Sequence, residues 1–271
     1  MKSPHKIITL ITDFGWKDSY VAEMKGAILK QLPMVRIVDI SHEVTPQNIL
    51  EAGLFLWRSY RYFPKGTVHV VVVDPGVGTS RKLLIAKTST YFFLAPDNGI
   101  LSPILSENEK TSFYEITPRR LFVSTPSHTF HGRDILTPCA VFLSKGVSPR
   151  KLGIPISAGR ITPLPQWRPS LGVSRMTGCI LSSDHFGNLV TNIHEKDYLH
   201  FKRKGRGKKV WIRSGRCTIK KLSKTYAGGK GGPLALFGSS SLLELSVRNG
   251  NASKALALRA GDRVQLIYGT D

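Results

Sequence analysis

The sequence is poor in cysteine, in acidic residues and in long apolar runs. Its three cysteines, Cys139, Cys179 and Cys217, are odd in number and form no C-x-x-C pair, so neither a disulfide framework nor a zinc site is indicated. No apolar stretch reaches the roughly 20 residues of a membrane-spanning helix, and the run Ile7–Ile11 is too short for a signal-peptide core. We therefore expect a protein of the reducing cytoplasm.

The shortage of acidic residues leaves a large positive charge. Lys and Arg number 39 against 18 Asp and Glu, a formal net charge of +21, and such a field is typical of proteins that bind nucleic acid. More than half of the excess is local, because twelve basic residues and no acid lie between Phe201 and Leu243. The run 202–209 favours an exposed hairpin, and no zinc-finger or RRM signature accompanies it. Nucleic-acid binding through 202–209 stays an alternative that the sequence does not favour.

The first half alternates strand-like and helix-like patterns, which is typical of α/β domains. Thr45 and Pro46 indicate the N-cap and first position of the second helix. An N-terminal α/β domain with a central, mostly parallel sheet is therefore predicted. The expected strands cover 7–12, 35–40, 67–73, 83–86 and 91–95, and the expected helices cover 19–32, 45–60 and 133–145.

The second half is predicted to form a smaller β-barrel domain. Prolines without periodicity between 149 and 169 indicate a traverse between domains. We place the N-terminal domain at 1–160, the linker at 161–171 and the C-terminal domain at 172–271. Helical patterns are scarce beyond the linker. The expected strands cover 178–183, 189–193, 209–213, 234–237, 242–247 and 263–268.

Several standard motifs are excluded by inspection. The segment 76–81 starts like a dinucleotide-binding loop, but Arg81 stands where the third glycine belongs. There is no phosphate-binding loop, nucleophile elbow or H-E-x-x-H. His128, His131 and Asp134 are close in sequence, but they lack a further strong ligand elsewhere, so a metal site is not favoured.

Polar residues that follow apolar strands are the stronger candidates, because α/β sheets bind their ligands there. Asp13 follows the first strand and could accept hydrogen bonds from ribose hydroxyls, although a helix cap is an alternative. Asp74 ends a very apolar strand, and Arg81 could fix its carboxylate around a water or simply form a structural ion pair. His131 precedes a helix, where an imidazole tends to stay neutral.

Six ordered motifs resemble those of the S-adenosylmethionine hydroxide adenosyltransferases, a family related to the fluorinase and chlorinase. The resemblance runs from about residue 7 to 268, through both predicted domains. The motifs are Ile11-Thr12-Asp13-Phe14-Gly15, Asp39-Ile40-Ser41-His42, Val73-Asp74-Pro75-Gly76-Val77-Gly78, Ala95-Pro96-Asp97-Asn98-Gly99, Thr129-Phe130-His131-Gly132-Arg133-Asp134 and Asp184-His185-Phe186-Gly187-Asn188.

The resemblance implies hydrolysis of S-adenosylmethionine to adenosine and methionine, with water attacking the ribose 5′ carbon. It implies no metal or cofactor, and a homotrimer whose sites lie between one subunit's N-terminal domain and its neighbour's C-terminal domain. Asp74, Arg81 and His131 match the water-activating residues of the family. The implied substrate-binding residues are Asp13, Phe130, Gly132, Asp184, Phe186, Asn188 and Ser239, with Ser240 as the alternative to Ser239.

Halide-dependent substitution on the same substrate is the alternative within the family. The halogenating relatives carry different residues at the positions of Asp74 and His131, so the resemblance favours hydroxide over halide as the nucleophile. Gln47 also stands where the fluorinase has a tryptophan beside the substrate. A nucleoside product containing halogen would distinguish the two reactions.

Overall fold

The chain divides into two compact units, Met1–Leu164 and Pro165–Asp271. A computed structural model describes residues 6–107, 110–117, 125–228 and 231–269. The division falls inside the segment 161–171 that the prolines had indicated as a linker. No helix in the described part of the chain is both long and apolar enough to cross a bilayer.

The N-terminal unit is built on a seven-stranded sheet of order β2-β1-β3-β5-β4-β6-β7. The pairs from β2 to β5 are parallel, and antiparallel pairing is confined to the side that holds β4, β6 and β7. This confirms the predicted α/β fold. The strands are β1 Ile7–Thr12, β2 Arg36–Ser41, β3 Val68–Val72, β4 Leu83–Lys87, β5 Phe92–Pro96, β6 Ser112–Ile116 and β7 Gly153–Ile156.

Helices pack against this sheet because alternate side chains of each central strand face opposite ways. Ile8 and Leu10 share a buried cluster with Met24 of α1 and Ala140 of α4. A π-helical turn, Gly132–Leu136, leads directly into α4. The helices are α1 Tyr20–Gln31, α2 Ile49–Ser59, α3 Ser102–Leu105, α4 Thr137–Ser144 and α5 Pro149–Leu152.

The predicted start of α2 at Thr45 and Pro46 is wrong. Asn48 is the N-cap, and its side chain accepts a hydrogen bond from the Glu51 amide at 3.2 Å. The residues before Asn48 do not have helical geometry. The Thr45 amide donates to Glu51 Oε2 at 2.7 Å, and Gln47 adopts a φ of 65°, outside the right-handed helical region. Tertiary contacts therefore override the local Thr-Pro signal.

The C-terminal unit is a nearly closed antiparallel barrel of strand order β12-β11-β15-β9-β10-β14-β13, with β8 paired to β9. A bridge between Leu222 and Ala235 brings the two end strands together. This confirms the predicted barrel. The strands are β8 Ser170–Leu171, β9 Arg175–Ser183, β10 Leu189–His194, β11 Val210–Ser214, β12 Cys217–Ile219, β13 Pro233–Phe237, β14 Leu242–Val247 and β15 Arg263–Tyr268.

The hairpin predicted for the basic run 202–209 is wrong, because its first residues belong to helix α6, Glu195–Lys204. Tyr198 and Phe201 bury one face of this helix at i, i+3 spacing. Acidic residues lie in its first turn and basic residues in its last, which suits the helix dipole. A second α-helix of this unit is α7, Ala252–Leu256.

Candidate active site

Asp74 and Arg81 form a nearly buried ion pair just beyond the end of β3. The Arg81 Nε donates to both carboxylate oxygens of Asp74 at 2.8 Å, and Nη2 also contacts Oδ2. Only 10% of the arginine side chain and 7% of the aspartate side chain are exposed. Because the guanidinium is planar, this contact fixes the orientation of the carboxylate.

His131 joins the pair from a distant part of the chain. Arg81 Nη2 lies 2.8 Å from His131 Nδ1, and a guanidinium carries donors only. Nδ1 must therefore accept this hydrogen bond, so the neutral ring carries its proton on Nε2. Burial, and then the adjacent Arg81 charge, lower the pKa of His131 below its ordinary value. Both effects favour the neutral form of the imidazole, which the sequence predicted at this helix start.

A cavity of about 400 Å³ opens beside this set in the N-terminal unit. Asp74 and His131 line it, whereas Arg81 is not among its lining residues and contacts both of them. The sequence had predicted substrate contacts for three more lining residues, Asp13, Phe130 and Gly132. The remaining lining residues are Phe14, Tyr20, Gln47, Val72, Pro75, Val77 and Thr129.

Aromatic rings form the apolar wall of the cavity. Phe130 packs edge to face against Phe14 and Tyr20, with ring centroids 5.6 and 5.4 Å apart. Arg133 lies 4.8 Å above the Phe130 ring and is itself held by Glu23. These contacts fix the orientation of the Phe130 ring. A ring with a fixed orientation can pack against an apolar or aromatic group of a ligand.

Gly132 brings the helix backbone close to the end of β3. A Cβ at this position would lie 3.0 Å from Val72 Cγ1, which is tighter than ordinary packing allows. Glycine therefore permits the close approach that places His131 beside Asp74.

Asp13 does not cap α1, whose N-cap is Ser19. Its Oδ2 accepts a hydrogen bond from the backbone amide of Gln47 at 2.8 Å. This contact ties the loop after β1 to the segment before α2 and holds the carboxylate at the cavity. The helix-cap alternative is excluded for Asp13, and the side chain remains available to ligand hydroxyls.

Four polar residues near Asp13 form a connected set to which the sequence assigned no role, although Thr12, Asp39 and His42 lie in the family-like motifs. Thr12 Oγ1 lies 2.8 Å from His42 Nδ1, and His42 Nε2 lies 3.0 Å from Asp39 Oδ1. Lys25 Nζ contacts Asp39 Oδ2 at 2.5 Å. Against the effect of burial, the hydrogen bond from Lys25 and the close contact with His42 lower the pKa of Asp39. These polar contacts hold the C-terminal end of β1 in place, next to Asp13.

The C-terminal motif forms a tight turn organised by one carboxylate. Asp184 Oδ1 accepts from the amides of Phe186 and Asn188 at 3.0 and 2.8 Å, and Oδ2 accepts from Asn188 Nδ2 at 2.9 Å. Gly187 has a φ of 85°, and a Cβ there would lie 2.3 Å from the Asn251 side chain. Only glycine fits this position. The turn leaves Phe186 74% exposed.

Asp184, Phe186 and Asn188 line a second cavity, of about 790 Å³, within the C-terminal unit. The structure therefore brings three of the four C-terminal candidates together. Ser239 is exposed in the turn Gly238–Ser241 and is not among the residues that line this cavity. Tyr226 does line it, with its hydroxyl donating to Glu244 Oε2 at 2.7 Å; no sequence motif marked it.

Two of the three residues in the sequence cluster His128, His131 and Asp134 are engaged by other groups. His131 Nδ1 faces Arg81, and Asp134 accepts from Arg133 Nε and the Ser127 amide. Among the described residues, no group of three or more His, Cys, Asp or Glu side chains is placed to hold a metal ion.

Comparison with known proteins shows which family this chain resembles. Residues 8–153 match the SAM hydroxide adenosyltransferase N-terminal domain, and residues 178–265 match the corresponding C-terminal domain. The chain is 32% identical to an (R)-S-adenosyl-L-methionine hydrolase of Thermus thermophilus, covering 96% of this chain and 99% of that protein. A protein of the same name from Methanocaldococcus jannaschii is 33% identical, with 97% and 96% covered.

Two further similarities extend the comparison. A fluorinase of Nocardia brasiliensis is 29% identical to this chain, with 97% of each protein covered. A crystal structure of an uncharacterized conserved protein from Thermotoga maritima superimposes with a TM-score of 0.83 at 36% identity, covering 96% of this chain and 99% of that one.

Proposed function

The chain belongs to the SAM hydroxide adenosyltransferase family, and we propose that it hydrolyses S-adenosylmethionine to adenosine and methionine. Relatives that match almost the whole chain are named for hydrolysis of the (R) sulfonium epimer, so we propose that epimer as the substrate. The fluorinases are related proteins, and we do not propose halide transfer for this chain.

One observation carries the proposal: Asp74, Arg81 and His131 form a hydrogen-bonded set at the wall of the cavity that also holds Asp13. A carboxylate and an imidazole placed side by side can hold a water through its proton and its oxygen. A carboxylate at Asp13 suits the vicinal hydroxyls of a ribose. The cavity thus contains groups that can bind the attacking water and groups that can bind the ribose.

The tautomer of His131 determines which of the two groups, His131 or Asp74, accepts the proton of the water. Since Nδ1 accepts from Arg81, Nε2 carries a proton and can donate to the water oxygen but cannot accept a proton. Asp74 is therefore the proton acceptor. Arg81 orients both groups without needing to touch the water.

The reaction is a single displacement at carbon. The water oxygen forms a bond to the ribose 5′ carbon while the bond from that carbon to sulfur breaks, and its electron pair leaves with sulfur as neutral methionine. The water proton passes to Asp74 and then to solvent. Because a sulfonium is already a good leaving group, the protein's task is to align and polarise one water, and we propose that it uses no metal or cofactor.

The test is incubation of the purified protein with each sulfonium epimer in oxygen-18 water, with products followed by mass spectrometry. We expect adenosine labelled at the 5′ oxygen, formed faster from the (R) epimer. Parallel reactions with added fluoride or chloride serve as the control and should yield no halogenated nucleoside. Unlabelled adenosine, or a 5′-halo product, would contradict water as the nucleophile.

We also propose that the chain acts in the cytoplasm as a homotrimer, in which the N-terminal unit of one copy works with the C-terminal unit of a neighbour. Its support is the family resemblance, together with the presence of family motif residues in a separate cavity of each unit. Light scattering should give three times the chain mass of 30.0 kDa. A monomer that is fully active would contradict the shared site, and cell fractionation tests the compartment.

A further inference from the structure

The C-terminal unit holds a cavity of about 660 Å³ that the proposed reaction does not use. Glu195 is the one acidic residue among those that line it. The walls also include the aromatic residues Tyr198 and Phe237. Six lysines line the cavity: Lys202, Lys208, Lys209, Lys220, Lys221 and Lys224.

These lysines come from three places in the chain. Lys202 lies in α6, Lys208 and Lys209 lie before β11, and the others follow β12. Their convergence on one concavity is a result of the fold and could not be read from the run 202–209 alone. A concave surface with several like charges concentrates the electrostatic field and attracts anions.

The backbone of the segment after β12 has a defined position. Leu222 bridges to Ala235 of β13, and the Ser223 amide donates to the Ala235 carbonyl at 2.8 Å. The flanking Lys221 and Lys224 are therefore presented from a fixed part of the barrel, where its two end strands meet.

A second cavity, of about 570 Å³, adjoins the first at this segment. Lys221, Leu222, Ser223 and Lys224 line both cavities. We call the two cavities together the basic groove. A compact phosphorylated molecule would fill only one such cavity, whereas a chain of phosphates can follow both.

The aromatic rings near the groove favour recognition of phosphates over stacking on bases. Lys208 Nζ lies 5.9 Å from the Tyr268 ring centroid, and Lys220 Nζ lies 4.6 Å from that of Trp211. Tyr268 also stacks on Phe201 at 4.4 Å. Tyr198 and Phe237, which line the larger cavity, pack against each other with ring centroids 5.4 Å apart. Because these rings are engaged with neighbouring side chains, they do not offer an open stacking platform.

We propose that the basic groove binds a single-stranded nucleic acid through its phosphate backbone, without reading base sequence. Binding of this kind is driven by release of counterions, so its affinity falls steeply with salt. A flat membrane surface does not enter two adjoining concavities. The groove shares no lining residue with the cavities of the proposed reaction, so this proposal does not rest on that reaction.

The test measures binding of a fluorescent single-stranded RNA of about 12 nucleotides by anisotropy, in salt from about 50 to 200 mM. The groove variant combines Lys202→Gln, Lys221→Gln and Lys224→Gln, all at exposed side chains. Loss of three phosphate contacts should reduce the log–log salt slope by about 2 and weaken binding about 100-fold near 0.1 M salt. Hydrolysis of S-adenosylmethionine should be unchanged.

The matched control combines Lys30→Gln, Lys65→Gln and Lys145→Gln, which remove the same charge from exposed positions in the N-terminal unit. It should keep the wild-type salt slope and affinity. Equal weakening in both variants would mean that net charge alone attracts the strand, which would overturn the proposal. ATP or tripolyphosphate binding as tightly as RNA, or anionic vesicles binding where RNA does not, would also overturn it.

Discussion

Replacing Asp74 with asparagine is expected to lower kcat for hydrolysis about 1,000-fold, with little change in KM. The substitution keeps the shape of the side chain but removes the carboxylate that accepts the water proton, and general base catalysis contributes roughly 100- to 10,000-fold. Single-turnover rates with the (R) epimer measure the effect. A loss that appears in KM instead would show that Asp74 binds substrate without activating water.

Two further variants keep this prediction testable. Asp74→Asn leaves the nearly buried Arg81 charge without its partner, which costs on the order of 3–5 kcal/mol of stability. Combining it with Arg81→Met removes that charge, so the melting temperature should recover while kcat does not. Asp13→Asn is the matched control at the same cavity, and it should raise KM about 10- to 100-fold because it weakens hydrogen bonds to a charged acceptor.

Replacing His131 with alanine is expected to lower kcat about 100-fold, whereas His131→Asn should retain part of the rate. Alanine removes the donor that orients the water, and asparagine restores an N–H group of shorter reach. The two rates, measured in the same single-turnover assay, check the assignment. Equal losses in both variants would show that the imidazole acts in another way, for example as the proton acceptor.

The pH profile provides a second measure of His131. Protonation would place a proton on Nδ1, facing the donors of Arg81, so the active form is the neutral ring. Because burial and Arg81 lower the pKa of His131, activity should persist below pH 6.5, the ordinary pKa of histidine, and fall as pH drops through the lowered value. In His131→Asn this acid limb should disappear. An acid limb that is unchanged in the variant would assign the titration to another group.

Strands were the most predictable part of the fold. The apolar runs that became β1, β3, β5 and β14 each lie within one or two residues of their expected bounds, because a buried strand leaves a short, almost continuous apolar pattern. Helix α6 was missed for the opposite reason. It buries only Tyr198 and Phe201, so charged residues dominate its sequence and obscure the helical spacing.

The sequence predicted which residues belong to the candidate site, but it predicted only part of their spatial arrangement. Asp74 and Arg81 are seven residues apart, so their contact could be expected as either an ion pair or part of a site. His131 is fifty residues from Arg81 along the chain, and sequence spacing says nothing about such a distance. Ser239 shows the same limit, because a serine-rich turn does not reveal which cavity, if any, its members face.

By itself, the sequence determined which chemical groups are present and where the strands carry them, because motifs and apolar periodicity are local properties of the chain. It thereby specified the family, the α/β and β-barrel units and the acid, arginine and histidine of the candidate site. The tertiary structure decided which groups meet. The tautomer of His131, the connected polar set near Asp13 and the gathering of six lysines in one groove all depend on contacts between segments far apart in sequence, and only folding sets those distances.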